Sequence, residues 1–240
     1  MKTVIANFKM YKKLDEIEDY IETIKGKIRN DIDVVLCPPN IYLDIFKDRS
    51  YHLGAQNCYY VEEGKYTGEV SPAQLKSIGV EYIIVGHSER RIYFSETDEL
   101  ISKKLNEITK NNIKAIFCVG ENKIEKDLHK TDIVIKRQLL NALNNIESDQ
   151  ISNIIIAYEP VYAIGTGAVP NIKDIEEVID YINNIVIEKY NYNGIKILYG
   201  GSVDLNNIND IMHIKNLNGV LIGGACLDPY NFIKILNSID

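Results

Sequence analysis

The chain is 240 residues long, carries a formal net charge of −7, and is 45% hydrophobic and 25% charged. That length suits one large α/β domain or two small ones, with a core that needs no disulfide or metal staple. The negative balance argues against nucleic acid and an anionic membrane surface as partners, since both want a basic patch. A small anionic substrate stays open, because one lysine at about 4 Å contributes roughly 4 kcal/mol at an effective dielectric near 20 and distant carboxylates are screened.

The opening stretch MKTVIANFKM has no signal-peptide apolar region, and no apolar run reaches the roughly 18 residues of a membrane helix. Four widely spaced cysteines (Cys37, Cys58, Cys118 and Cys226) form no Cys-x-x-Cys pair. They read as reduced, mostly buried thiols, and the expected compartment is the cytoplasm.

Along the chain a short apolar run recurs, each followed by a longer amphipathic one. The strand candidates are TVIAN, DVVLC, HLGAQN, YIIVG, AIFCVG, NIIIAYE, KILYGG and GVLIGG. Most are continuously apolar, as strands buried on both faces of a parallel sheet are. Between them, Leu14, Ile17, Ile21, Ile24 and Ile28 repeat at helical spacing, as do Ile175, Val178, Ile179, Ile182 and Val186. Residues 95–98, Ser-Glu-Thr-Asp, resemble a capping box ahead of Leu100, Ile101, Leu105 and Ile108. Asp228-Pro229 reads as an N-cap followed by proline at the first helical position. The second helix and the segment from Val61 to Gly79 give no clear pattern. Asn122 to Lys130 reads only as a solvated helix start.

Eight strand–helix units in this length fit a closed (β/α)8 barrel spanning residues 1–240 as one domain, a fold that typically takes about 250 residues. The alternative, a doubly wound open sheet, wants glycines in its first turn, and ANFKMYK has none. In a barrel the chemistry lies at the carboxyl ends of the strands. Those ends carry Asn7 and Lys9, Gln56 and Asn57, His87 to Glu89, Cys118 to Glu121, Glu159, Gly200 to Ser202, and Gly223-Gly224.

Glu159 is a general base where its surroundings exclude water, or else a solvated or ion-paired loop acid. The residues after it favour the first reading. Pro160 and Gly165-Thr166-Gly167 bracket the apolar Val161-Tyr162-Ala163-Ile164, the pattern of a hinged lid. His87 is the one histidine on a clear strand end. At a helix start its imidazole is held neutral, as a donor, or it is an ordinary structural histidine. Lys9 and Asn7, two residues apart in an extended chain, point the same way and offer local positive charge, unless Lys9 is simply exposed. The glycine pairs after the last two strands offer backbone N–H groups to a phosphate, or are tight turns. No Rossmann loop, P-loop, metal-ligand spacing or nucleophile elbow is present in the sequence. The reading is an enzyme without cofactor or metal, abstracting a proton beside the carbonyl of a small phosphorylated substrate.

The motifs ANFKM (6–10), GAQN (54–57), YTGEVS (66–71), VGHSERR (85–91), CVGE (118–121), AYEPVYAIGTG (157–167), YGGSV (199–203) and GGACL (223–227) together make the chain resemble the triosephosphate isomerase family over nearly its whole length. That family is itself a standard example of acid–base tuning and lid closure. The resemblance implies interconversion of dihydroxyacetone phosphate and D-glyceraldehyde 3-phosphate. Glu159 is then the base, His87 the electrophile, and Lys9 and Asn7 position the substrate oxygens. Glu89 and Cys118 support them from behind. The Gly165 amide, Ser202, Gly223 and Gly224 hold phosphate, and residues from Pro160 to Thr166 form the lid. It also implies a homodimer in which Thr67, in YTGEVS, reaches the partner's site. Departures from the family pattern are Tyr162 and Phe8 where tryptophan is common, Tyr11, Ala168-Val169-Pro170 after the lid, and Cys226 where serine is common. Another phosphate-binding barrel isomerase is the alternative that VGHSERR and the lid disfavour. A non-catalytic interaction protein on the same scaffold is disfavoured by the intact Lys9, His87 and Glu159.

Overall fold

The computed structural model describes residues 1–46, 50–164 and 170–239. Eight parallel strands close on themselves in chain order: β1 (Lys2–Asn7), β2 (Ile32–Cys37), β3 (His52–Ala55), β4 (Tyr82–Val85), β5 (Lys114–Val119), β6 (Ile154–Tyr158), β7 (Lys196–Tyr199) and β8 (Gly219–Ile222). Every strand predicted from an apolar run is present; β3 to β8 stop one or two residues short of the predicted carboxyl end, and β1, β2 and β5 begin one residue earlier than predicted. The continuous apolarity has its expected cause, since β2, β4, β6 and β8 are buried at every position.

Alternate strand residues serve two cores. Ile5, Val35, Ile84, Ile116, Ala157 and Leu198 belong to the cluster that fills the barrel. Val4, Val34, Ile83, Phe117 and Ile156 belong to the larger cluster shared with the helices. The ring closes where β1 meets β8, with Thr3 beside Gly219. The backbones approach so closely there that a Cβ on Gly219 would lie 1.8 Å from the Thr3 carbonyl oxygen, so only glycine fits. The floor of the barrel is polar. Asp33 accepts from Thr3 at 3.2 Å and from Lys196 at 3.3 Å, and His52 bridges Asp33 and Glu81.

The helices among the described residues are α1 (Leu14–Ile24), α2 (Pro72–Ser77), α3 (Ser88–Tyr93), α4 (Asp98–Lys110), α5 (Lys123–Asp127), α6 (Thr131–Ala142), α7 (Ile172–Tyr190), α8 (Ile208–Met212) and α9 (Pro229–Asn237). Asp228 caps α9 as expected, accepting from Asn231 N–H at 2.7 Å. Two readings need correction. The α1 stripe stops at Ile24; Gly26, at φ 68°, ends the helix, and Ile28 is buried from the loop beyond. The cap of α4 is Thr97, accepting from Leu100 N–H at 3.3 Å. Glu96, read as part of the cap, instead turns inward to Lys104 and Arg90. The segment that gave no pattern holds α2, announced by Ser71 and Gln74, which bond each other's backbones reciprocally. The second connection forms a 3₁₀ turn over Asn40–Ile45. The solvated start is α5, which buries no residue. All four cysteines are free and buried.

Candidate active site

The carboxyl ends of β1, β4, β6, β7 and β8 surround a cleft of about 230 Å³ lined by Asn7, Lys9, His87, Glu159, Ser202, Gly223 and Gly224, among others. Residues from the first strand end and the last thus share one space. Each is placed by a different local device.

Lys9 is not in extended chain. The strand ends at Asn7, and Lys9 takes φ 52°, so the parity argument for its direction fails. A short polar side chain makes the turn instead, with Asn7 Oδ1 accepting from Lys9 N–H at 2.9 Å and Gln56 donating to the Lys9 carbonyl at 2.8 Å. The ammonium comes to rest 2.7 Å from Glu89 Oε1. A left-handed lysine is a strained conformation that its surroundings must hold.

His87 stands at the N-cap of α3. Its Nδ1 accepts from Glu89 N–H at 3.2 Å. A nitrogen that accepts carries no proton, so the ring is neutral and its proton is on Nε2. Nε2 lies 3.3 Å from Glu159 Oε1. Glu159 is 1% exposed. Its Oε2 accepts from Ser88 N–H at 3.0 Å, and Oε1 has no hydrogen-bond partner among the described residues. A buried carboxylate oxygen left unpaired, next to an N–H donor, across a cleft from an ammonium, is an arrangement suited to moving a proton.

Two glycines make room for Glu159, one at its side chain and one at its backbone. A Cβ on Gly200 would sit 2.8 Å from Glu159 Cγ, and one on Gly120 would sit 1.7 Å from the Glu159 carbonyl oxygen. Cys118 is buried behind the acid, and burial, then the Glu159 charge, pushes its thiol well above the usual range. A structural thiol is what that environment makes. Arg91, which the sequence did not single out, fastens the ends of β4 and β5 together by donating to the Gly86 and Cys118 carbonyls at 2.9 and 3.3 Å. Glu121 is another buried acid, held by Tyr158 at 3.1 Å and Thr131 at 3.3 Å, and desolvation raises its pKa.

On the opposite wall, Ser202 donates to the Ala163 carbonyl at 2.6 Å. Gly224 faces open space and Gly223 packs on the Lys9 side chain. Of the expected lid, Val161–Ala163 form a 3₁₀ turn with Ala163 buried. Burial, then the charges of Glu121 and Asp174, pushes the Tyr162 phenol up to about 12. Gly165 and Thr166, with Ala168 and Val169, lie outside the described residues. Thr67 is exposed and is not among the residues that line this cleft on its own chain. Among the described residues no group of three or more His, Cys, Asp or Glu is placed to hold a metal ion.

A parallel eight-stranded barrel with a buried carboxylate, a neutral imidazole and a glycine-lined rim defines the class of barrel enzymes that work at the carboxyl ends of their strands. The chain matches the family model described as triosephosphate isomerase over residues 2–239. It is 41% identical over 98% of its length to a protein named triosephosphate isomerase from Alkaliphilus oremlandii, covering 99% of that protein. Similar relatives with that name come from Dictyoglomus thermophilum, 42% identical with 99% of both chains covered, and Thermodesulfovibrio yellowstonii, 43% identical with 98% of both covered. The chain belongs to the triosephosphate isomerase family.

Proposed function

We propose that the cleft interconverts dihydroxyacetone phosphate and D-glyceraldehyde 3-phosphate, with Glu159 as the base. Glu159 removes a proton from the carbon beside the carbonyl. The Nε2–H of His87 donates to the carbonyl oxygen as it gains negative charge, giving an enediolate. The adjacent hydroxyl gives up its proton, which passes by way of Nε2 to the former carbonyl oxygen, and Glu159 returns its own proton to the carbon that bore the carbonyl, so that the carbonyl moves to the neighbouring carbon. No cofactor enters this sequence. Lys9, oriented by Glu89, offsets the charge of substrate and intermediate, Asn7 holds the turn that aims it, and Cys118 backs the carboxylate. Ser202 and the amides of Gly223, Gly224 and Gly165 bind the phosphate. The lid from Pro160 to Thr166 covers the intermediate, because an enediolate phosphate released to water would eliminate its phosphate.

The observation that carries this reading is the 3.3 Å approach of His87 Nε2 to an unpaired, buried Glu159 oxygen, with Nδ1 already committed as an acceptor. The test is turnover of D-glyceraldehyde 3-phosphate in EDTA with no added cofactor, followed through a coupled dehydrogenase. Fast turnover is expected, and Glu159→Gln is expected to lower kcat by several orders of magnitude with a modest change in KM. A near-normal kcat in that variant overturns the assignment.

We further propose a homodimer. A second groove beside the site is lined by Met10, Pro39, Asn40, Phe94 and, at its base, Lys9, His87 and Glu89. Met10 is 94% exposed and Phe94 64%, an apolar face that a second copy would cover. The exposed loop bearing Thr67 is the segment that would fill the partner's groove. Full activity of a monomer in dilute sedimentation experiments refutes this. No helix among the described residues is long and apolar enough to cross a membrane; the compartment we propose is the cytoplasm.

A further inference from the structure

Glu159 lies one residue past β6, where the β5–β6 pairing has run out at Val119 beside Tyr158. The end of β5 still grips it. Glu159 N–H donates to the Val119 carbonyl at 2.7 Å, and Val161 N–H donates to the Glu121 carbonyl at 3.0 Å. The residue between these two acceptors is Gly120, and one side chain takes both of its peptide groups. Gln138 Oε1 accepts from Gly120 N–H at 2.9 Å, and Gln138 Nε2 donates to the Gly120 carbonyl at 3.0 Å. Gln138 comes from α6 and is 5% exposed. A primary amide is the side chain that presents a donor and an acceptor together, as a neighbouring strand would. Gly120 in turn is packed against the Glu159 peptide, within the 1.7 Å reach that forbids a Cβ.

We propose that Gln138 is a positioning residue for the reaction: it stands in for a missing strand at Gly120 and so fixes the Glu159 backbone and the first lid hinge. This rests on the reading of Glu159 as base. A buried amide satisfied at both ends also contributes to stability, so the test must read catalysis apart from folding.

The experiment compares Gln138→Met, which keeps length and apolar bulk and removes both hydrogen bonds, with the native enzyme in the full chain at 25 °C, after melting curves confirm that both are folded. The expected result is a kcat lower by about ten- to a hundredfold with KM within about threefold, the pattern of a misplaced catalytic group. The same substitution is made on a Glu159→Asp background, where the carboxylate is already drawn back by one methylene. There Gln138→Met is expected to have a much smaller effect, because both changes spoil one geometry. Should the Met variant not fold, Gln138→Asn keeps the amide but withdraws it from Gly120 and serves the same comparison. Native kcat in a folded Gln138 variant, or losses that multiply independently in the double variant, overturns the proposal. If Glu159→Asp and Glu159→Gln themselves keep native kcat, it is the assignment of the base that has failed.

Discussion

Removing Glu96 tests whether charges buried beside the site are held by each other or by water. The Glu96 side chain is 1% exposed and Lys104 4% exposed, their charged atoms 2.5 Å apart, and Arg90, 28% exposed, reaches the same Glu96 oxygen. Glu96→Ala strands the Lys104 ammonium against Asn57 Oδ1, a neutral acceptor 2.7 Å away. Breaking a buried pair from one side costs about 3–5 kcal/mol. For a chain of this size, at roughly 2–4 °C per kcal/mol, the melting temperature should fall by about 6–20 °C. Urea unfolding at one fixed protein concentration measures the loss, the concentration being fixed because association contributes to apparent stability. Adding Lys104→Met to Glu96→Ala should return part of the loss, since Arg90 reaches solvent and no charge stays stranded. The pH dependence has a definite sign. Burial works to raise the Glu96 pKa, but Lys104 and Arg90 outweigh it and hold the carboxyl below its usual range. Its stabilisation is therefore complete above the unfolded value of about 4.3 and is lost as pH falls through the lower folded value. A loss below about 1 kcal/mol for Glu96→Ala, or a further loss on adding Lys104→Met, refutes the reasoning.

Gly200→Ala puts a methyl 2.8 Å from Glu159 Cγ, and steady-state kinetics should show kcat falling by roughly tenfold or more with KM changed less. Lys9→Met removes the ammonium that faces the cleft, and KM for the phosphorylated substrate should rise by roughly a hundredfold; KM unchanged within error rules out its proposed role. Ser71→Ala breaks the reciprocal cap of α2 and should lower stability by about 1 kcal/mol in urea unfolding without altering kcat.

How legible the molecule is in its sequence depends on how local each cause is. The strands are legible because both faces of each are buried, leaving an unbroken apolar run, and the cap of α9 is legible because Asp-Pro acts on its own next turn. The end of α1 is hidden because Ile28 is as apolar as the helical stripe before it; burial after a left-handed Gly26 leaves the same mark on composition as burial within a helix. Glu96 misleads for the opposite reason: its partners Lys104 and Arg90 lie on other turns, and an acid near a helix start looks like part of a cap. At the site, Glu159, His87 and Lys9 stand out through strand-end position and through motif. Gly120 and Gly200 are in view as glycines, but what they make room for, the backbone and the side chain of Glu159, comes from another strand. Gln138 carries no signal, since its role exists only once α6 packs beside the end of β5.

The closure of β1 against β8 has a consequence for how the chain is made. Thr3 waits for Gly219, a partner that leaves the ribosome more than two hundred residues later. At about 5–20 residues per second, that is an interval of roughly ten to forty seconds. Throughout it the first strand presents a row of unpaired peptide groups, and each newly made strand becomes the other open edge in turn. Its apolar sequence, VIA flanked by threonine and asparagine, is the kind that pairs with any strand available. The nascent protein is therefore exposed to wrong pairing until its last strand has cleared the ribosome, and a pause in translation between β7 and β8 should lower its yield.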